Sequence, residues 1–307
     1  METKKTDIHF PYSKYGIYGS GLDEPFSYLG RIISERFQAA EIAFPYQEIE
    51  IQRTYFSPKQ KKNETYMSWY NKLPIYYRGK NMVRVIFAVE NKQIDLVYLF
   101  QLIYKAFDII ISKKKKADIW DTEKVKSTLI QLEKELQEAD LWEINHTYEM
   151  LFRQEAIAKT LQERTIREQT DNEKKRLIYD LRFYYHFEGV GKLYFSPYDN
   201  QFCNSILEKL RERKFRLPGY THVYIRVSDS FENALFHATR LENWFAYGIA
   251  VFENYADYPK KTEDEKKRIV FNLIKQGLND IAKIDKLDTQ TLNEVLDEVE
   301  QNIFNNI

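Results

Sequence analysis

Cysteine is nearly absent from this 307-residue sequence, which contains only Cys203. One cysteine cannot form an intramolecular disulfide bond, and it cannot build a zinc site from cysteine ligands alone. We expect Cys203 to be a buried structural residue. A single free thiol is typical of a reducing compartment, so we expect a cytoplasmic protein.

Glycine is also scarce, with 10 residues, and neither of the glycine-rich loops that bind dinucleotides or nucleotide phosphates occurs. The G-x-S-x-G motif of hydrolase nucleophiles is missing as well. No two of the five histidines lie four residues apart, and no HExxH motif is present. We therefore expect neither a cofactor nor a metal ion.

Charge of one sign is not in excess, because 46 Lys and Arg residues balance 46 Asp and Glu residues. The balance excludes the global basic surplus of polynucleotide-binding and membrane-surface proteins, although it permits local patches such as the lysines at 113–116. The longest apolar stretch, 94–111, contains Asp95, Lys105 and Asp108 and therefore predicts a core helix, not a membrane span. No apolar run follows the first lysines, so we expect no secretory signal.

Aromatic residues, by contrast, are abundant, with 23 Tyr and 20 Phe. Two tracts alternate aromatic rings with Asn, Lys, Glu and Asp, and they contain more tyrosine than a dry core requires. Tyr and Trp combine a large contact area with a polar tip and are enriched at protein interfaces, although core packing is the alternative interpretation. The predicted partner-binding residues are Tyr66, Trp69, Tyr70, Tyr76 and Tyr77 in the first tract and Trp244, Tyr247, Tyr255 and Tyr258 in the second.

The sequence contains an internal repeat. Residues 17–26 align with 193–202, and residues 85–91 align with 248–254 at an offset of 163. Shorter matches before and after these blocks occur in the same order, and the offsets change only where loops are expected. The pattern indicates an ancient duplication.

This repeat predicts two α+β units at 7–139 and 181–305, joined by a helical connector at 140–180. Each unit is expected to contain a small, mostly antiparallel sheet covered by helices, so the fold class is α+β with tandem duplicated units. Residues 85–90 and 248–253 are expected to form inner strands.

Local patterns add finer predictions. We expect a hairpin from 73–77 and 82–90 in the first unit and a hairpin from 234–241 and 244–253 in the second, with a helix over 230–243 as the alternative to the latter. Asp23 and Asp199 are expected to cap the helices that follow them.

A hydrolytic site is a second possibility. Glu90 and Glu253 end the expected inner strands, and Glu253 combined with His222, His237 and Arg240 offers the groups for acid–base catalysis on a nucleic acid or nucleotide. No spacing in the sequence forces these four side chains together.

The favoured function is a non-catalytic protein that binds a protein partner. In composition and architecture the chain resembles bacterial immunity or inhibitor proteins that neutralise a toxin, and accessory proteins of defence systems. The alternatives are the hydrolase near Glu253 and a structural subunit of an assembly. Nucleic acid is a less favoured partner because the net charge is zero.

Overall fold

The structure is a computed structural model that describes residues 6–10, 22–55, 72–89, 95–115, 118, 120–169, 174–187, 195–238 and 245–304. The chain divides into two compact units, residues 1–150 and 151–307. Both units are mixed α+β with small sheets.

The first unit contains a four-stranded sheet. Strands β1, β2 and β4 are parallel to one another, whereas β3 joins β4 in an antiparallel hairpin, so that the order is β1-β2-β4-β3. The elements are β1 (Asp7–His9), α1 (Leu29–Ala39), β2 (Glu48–Tyr55), β3 (Ile75–Arg78), β4 (Met82–Val89), α2 (Leu96–Ser112), α3 (Thr122–Glu138) and the start of α4 (Leu141–Gln169).

The second unit contains a three-stranded, fully parallel sheet of order β6-β8-β9 and a separate antiparallel ribbon of β5 and β7. After α4, the elements are β5 (Lys175–Leu177), β6 (Asp180–Tyr185), α5 (Tyr198–Glu212), β7 (Arg216–Pro218), β8 (His222–Ser228), α6 (Phe231–His237), β9 (Phe245–Val251), a 3-10 helix (Tyr255–Lys260), α7 (Glu263–Ile284) and α8 (Thr289–Phe304).

The expectation of mostly antiparallel sheets is wrong. Helices α1 and α5 each lie between two strands that are neighbours in the sheet. Such a helical connection carries the chain back to the end of the sheet where the first strand began, so the second strand runs parallel to the first. Alternating apolar residues mark a strand but do not reveal its direction. The hairpin of β3 and β4, where only a short turn intervenes, is confirmed.

Two expectations for the second unit also fail. Residues 231–237 form α6 and not a strand, since Ser230 has extended backbone angles and its side chain accepts a hydrogen bond from the Asn233 N–H. This result agrees with the helical alternative. Strand β9 lies at the edge of the described sheet rather than inside it.

The predicted helix caps Asp23 and Asp199 are wrong as well. Helix α1 begins at Leu29, several residues after Asp23, and Asp199 lies inside the first turn of α5, where it accepts from the Asn200 N–H. Helix α5 begins at Tyr198, so Asp199 is already part of the helix, whereas a capping residue precedes the helix and has extended backbone angles.

One face of each sheet is packed against helices. In the second unit Val223, Ile225 and Val227 of β8 are at most 1% exposed and share a core with α7 residues such as Phe271 and Ile274. Because side chains alternate along a strand, the neighbouring residues of the same strands lie on the opposite face.

Helix side chains occupy two of the sheet edges. Ser34 of α1 accepts a hydrogen bond from the Ile8 N–H of β1. In the second unit, Asp280 and Gln276 of α7 accept from the Ile249 and Val251 N–H groups of β9. These hydrogen bonds occupy N–H groups of the edge strands that would otherwise be open to pairing with another chain.

Two glycines permit this approach of α7 to β9. A Cβ atom at Gly248 would overlap the Gly277 carbonyl group, and a Cβ atom at Gly277 would overlap the side chain of Ile225. Helix and strand therefore pack with their backbones almost in contact.

A buried ion pair joins the turn after α2 to β3. Arg78 donates two hydrogen bonds to Asp118, of 2.7 and 2.9 Å, and the Lys115 N–H donates a third of 2.8 Å. The Asp118 side chain is 4% exposed, and its hydrogen bonds with Arg78 lower its pKa to about 2. In the same turn the Lys114 ammonium group donates to the Trp120 carbonyl oxygen, so this lysine of the 113–116 tract has a structural contact.

Substitution of Gly248 by alanine should destabilise the second unit, because backbone atoms must move to admit the methyl group. We expect a loss of about 1–3 kcal/mol in the free energy of unfolding, measured by urea denaturation with circular dichroism. Gly79→Ala is the matched control, since its nearest neighbour would lie 3.5 Å away. Equal losses in the two variants would contradict the close packing.

The Arg78–Asp118 pair predicts a pH dependence. Because the folded-state pKa of Asp118 lies below the ordinary value of 3.8, its stabilisation is complete above that value and is lost as the pH falls towards 2. Wild type should exceed Asp118→Asn by about 2 kcal/mol in unfolding free energy at pH 7, and the difference should shrink between pH 4 and pH 2. Urea denaturation across this range tests it; a constant difference would refute it.

Candidate binding surface

The second face of the parallel sheet in the second unit carries arginines and aromatic rings. We call this surface the arginine–aromatic face. The strand register places Asp180, His222 and Phe245 in one row across the sheet, and Arg182, Tyr224 and Tyr247 in the next. The face consists of Arg182, Tyr184, His222, Tyr224, Arg226, Phe245 and Tyr247.

Cations and rings alternate on this face. The Arg182 guanidinium carbon lies 5.8 Å from the centre of the Tyr224 ring, and that of Arg226 lies 5.1 and 5.4 Å from the rings of Tyr184 and Tyr247. Each such contact is worth about 0.5–1 kcal/mol where the groups are exposed and more where they are desolvated. The two arginines are therefore held in defined positions.

The rings also pack against one another. Tyr224 is stacked on Phe245, with their centres 4.9 Å apart, and meets Tyr184 edge to face at 5.4 Å. Phe245 and Tyr247 form a further edge-to-face pair at 5.3 Å. The packed rings form a continuous layer across the three strands, which we call the floor of the face.

One end of the face is covered and the other is open. Ala234 and Leu235 of α6 pack with Tyr224 and Tyr247, which are only 8% and 6% exposed. Towards the amino ends of the strands, the Arg182 side chain is 57% exposed, while Tyr184, His222 and Phe245 are half-buried. The accessible part of the face is therefore centred on Arg182.

Arg182 is oriented by three neighbours. Its Nε lies 2.6 Å from Asp180 Oδ2, its Nη1 donates a 3.4 Å hydrogen bond to the Tyr184 hydroxyl, and the Tyr224 ring lies beneath it. The hydrogen bond with Tyr184 and the charge of Asp180 raise its pKa above the usual arginine range. These contacts position the guanidinium group, while more than half of the side chain is exposed to solvent.

An exposed aromatic residue extends the open end. Tyr179 precedes β6 and is 66% exposed, and its ring centre lies 5.4 Å from that of His222. Arg211 of α5 donates a hydrogen bond to the Tyr179 carbonyl oxygen and lies 5.5 Å from the centre of its ring.

The corresponding face of the first unit has different chemistry. Its register places Asp7, Glu48 and Met82 in one row, equivalent to the row of Asp180, His222 and Phe245. Along β2, Glu50 and Gln52 occupy the places of Tyr224 and Arg226 in β8. Arg84 of β4 forms an ion pair with Glu50. Carboxylates within this sheet therefore balance its arginine.

The predicted partner-binding residues have different surroundings. Tyr77 is 54% exposed, and Tyr76 packs against the core of the first unit. Tyr247 belongs to the floor of the arginine–aromatic face, and Tyr255 is half-buried and stacks on Phe187. Tyr66, Trp69, Tyr70 and Trp244 lie outside the described residues.

Tyr258 has the surroundings of a core residue. It is 2% exposed, its ring centre lies 4.6 Å from that of Phe195, and burial raises the pKa of its hydroxyl. A ring in this position cannot reach a partner, so the core interpretation replaces the prediction for this residue.

The residues of the alternative hydrolytic site are separated. His222 begins β8 and pairs with Phe245, whereas Glu253 follows the end of β9. The seven residues of β9, Phe245–Val251, alone span about 20 Å. His237 ends α6, and its ring centre lies 3.8 Å from that of His186. Arg240 and Glu90 lie outside the described residues. His222 and Glu253 therefore lie too far apart to belong to the same site.

The described part of the chain lacks a cluster of metal ligands, and its single thiol is buried. It contains no group of three or more His, Cys, Asp or Glu side chains that could hold a metal ion. Cys203 is 3% exposed, and burial raises the pKa of its thiol, so little thiolate is present at neutral pH.

Sequence reasoning missed Arg182, Tyr184, Tyr224 and Arg226. The signal was clear in 222–228, where every second residue is polar or aromatic and the residues between them are apolar, but weaker in 180–185, where Tyr185 interrupts the alternation. The local pattern did not show which strands were neighbours, so it could not align arginines with rings.

The chain matches no known family model, no curated protein and no solved structure. Within the described ranges, every helix is too short or too polar to cross a membrane.

The geometry predicts that a substitution in the floor lowers the stability of the protein more than a substitution in the exposed part of the face. Tyr224→Ala removes a buried ring and should lower the free energy of unfolding by about 3–5 kcal/mol. Arg182→Gln changes an exposed side chain and should cost less than about 1 kcal/mol. Urea denaturation of both variants tests this difference. A large loss in Arg182→Gln would mean that Arg182 is a structural residue.

Proposed function

We propose that this chain is a cytoplasmic, non-catalytic protein that binds a protein partner through the arginine–aromatic face of its second unit. One observation carries the proposal: Arg182 is more than half exposed, yet Asp180, Tyr184 and Tyr224 hold it in place. Arginine and tyrosine are the residues most often found at energetic hot spots of protein interfaces.

The fixed position of Arg182 favours binding. An exposed arginine normally loses much rotational freedom when it enters an interface, at a cost of about 0.5–1.5 kcal/mol. Here the ring of Tyr224 and the carboxylate of Asp180 already restrict the guanidinium group. A partner would therefore meet a side chain that is close to its bound conformation.

Immunity and inhibitor proteins are the class that we propose. These proteins act by binding alone, and the separation of His222 from Glu253 favours such a role over hydrolysis. The single buried cysteine is in keeping with the reducing cytoplasm.

We also propose that the two units arose by duplication, with boundaries at 7–139 and 181–305 and a connector at 140–180. When β3 is left out of the first unit and β7, α6 and the 3-10 helix are left out of the second, the order strand, helix, strand, strand and two helices recurs, and the three parallel strands have matching order. The equivalence of Met82 with Phe245 has the same offset of 163 residues as the sequence repeat. Divergence of the second faces then gave the second unit its own binding surface.

The proposal is tested with purified chain as bait for proteins of the native host, followed by mass spectrometry and affinity measurement on the captured partner. Arg182→Gln and Tyr184→Ser should each weaken binding about tenfold or more, because each alters the accessible part of the face. Trp142→Gln is the control, since Trp142 is an exposed ring of the first unit, 60% accessible.

Two results would contradict the proposal. One is a partner whose affinity is the same for wild type and for both face variants. The other is a mass far above 37.0 kDa for the isolated chain in light scattering, with Arg182 inaccessible in that assembly, which would favour a structural subunit.

A further inference from the structure

We infer that the arginine–aromatic face recognises an acidic segment of a protein, with a carboxylate of that segment bound by the exposed edge of Arg182. This inference rests on the proposed function and specifies the chemistry of the partner.

The first argument is the orientation of the Arg182 donors. A guanidinium group has five N–H donors in a planar fork. Asp180 faces Nε at 2.6 Å, and Tyr184 receives one long hydrogen bond from Nη1. The edge formed by the two Nη atoms has the spacing to bind both oxygens of a carboxylate in parallel.

The second argument is local charge. The face contains Arg182 and Arg226, and Arg211 lies beside its open end, whereas Asp180 is the acidic residue paired with Arg182. Oppositely charged surfaces attract each other during association, and like charges are rejected. An acidic segment therefore complements this end of the sheet.

The third argument separates a protein segment from a single-stranded nucleic acid. Proteins bind single strands by stacking bases on accessible aromatic rings beside a groove that follows the phosphates. The central rings, Tyr224 and Tyr247, are 8% and 6% exposed, and arginines pack against both. These two central rings thus position cations, and their faces are not open to bases; the accessible rings lie at the open end of the face, with Tyr179 the most exposed.

The first unit provides an internal comparison. There Arg84 is paired with Glu50 of the neighbouring strand, so a carboxylate of the same sheet neutralises it. At the position of Glu50 the second unit has Tyr224, so Arg182 pairs with Asp180 of its own strand and packs on a ring where the first unit has a carboxylate. A second carboxylate, bound by the exposed edge of Arg182, would come from a partner.

The experiment uses the purified full chain and a phage-displayed library of random peptides. Wild type should enrich peptides that contain Asp or Glu, and Arg182→Gln should not. Each enriched peptide is then synthesised together with an analogue that carries Asn and Gln in place of Asp and Glu. We expect wild type to bind the analogue about tenfold or more weakly, since a charge-assisted bidentate contact is lost.

Two variants sharpen the result. Arg182→Lys retains the charge but not the planar fork, and it should lose most of the affinity that Arg182→Gln loses. Arg216→Gln is the matched control, because Arg216 is an exposed arginine of β7 outside the face, and it should bind like wild type. Equal binding by Arg182→Lys and wild type would overturn the bidentate contact.

The remaining outcomes distinguish this inference from the proposed function. Wild type could instead enrich peptides that lack acidic residues and that bind the Tyr184→Ser variant more weakly than wild type. That result would overturn the inference and leave the proposed function standing. Enrichment that is indifferent to every face variant would overturn both. Fluorescein-labelled oligo(dT) or oligo(rU) that binds wild type more tightly than the acidic peptides, and is released by Arg182→Gln, would assign the face to nucleic acid instead.

Discussion

Helical connections between neighbouring strands are the constraint on which the rest of this structure depends. Each crossover helix returns the chain to the same end of the sheet, so β1 and β2, and likewise β6 and β8, run parallel. In the second unit, α5 and α7 supply apolar residues to the core on one face of the sheet. The other face is then available for side chains that the core does not need.

On that second face, side-chain chemistry decides between a structural and a recognition role. In the first unit an ion pair between Arg84 and Glu50 is satisfied within the sheet. In the second unit, tyrosines and Phe245 form a floor on which Arg182 and Arg226 are packed. Arg182 also pairs with Asp180 of its own strand, but its side chain remains 57% exposed, which the proposed binding to a partner requires.

The sequence allowed accurate prediction of the elements with strong periodicity. The apolar stretch 94–111, which predicts a core helix, agrees with α2, because it has apolar residues at helical spacing over four or more turns. The segment 230–243 was harder, since the seven-residue α6 gives a weak helical signal. Of the candidate site, Tyr247 was predicted to bind a partner, whereas His222 was named only for the alternative hydrolytic site.

By itself, the sequence determined composition, charge balance, the absence of disulfides and nucleotide-binding motifs, and most strand and helix positions, because these depend on residues close together in the chain. Only the tertiary structure decided strand direction, the burial of Tyr258, and the placing of Arg182 beside Tyr224. Arg182 and Tyr224 are 42 residues apart in the chain and become neighbours only through the register of β6 with β8. That register is set by packing and backbone hydrogen bonds across the whole sheet, which no local pattern contains.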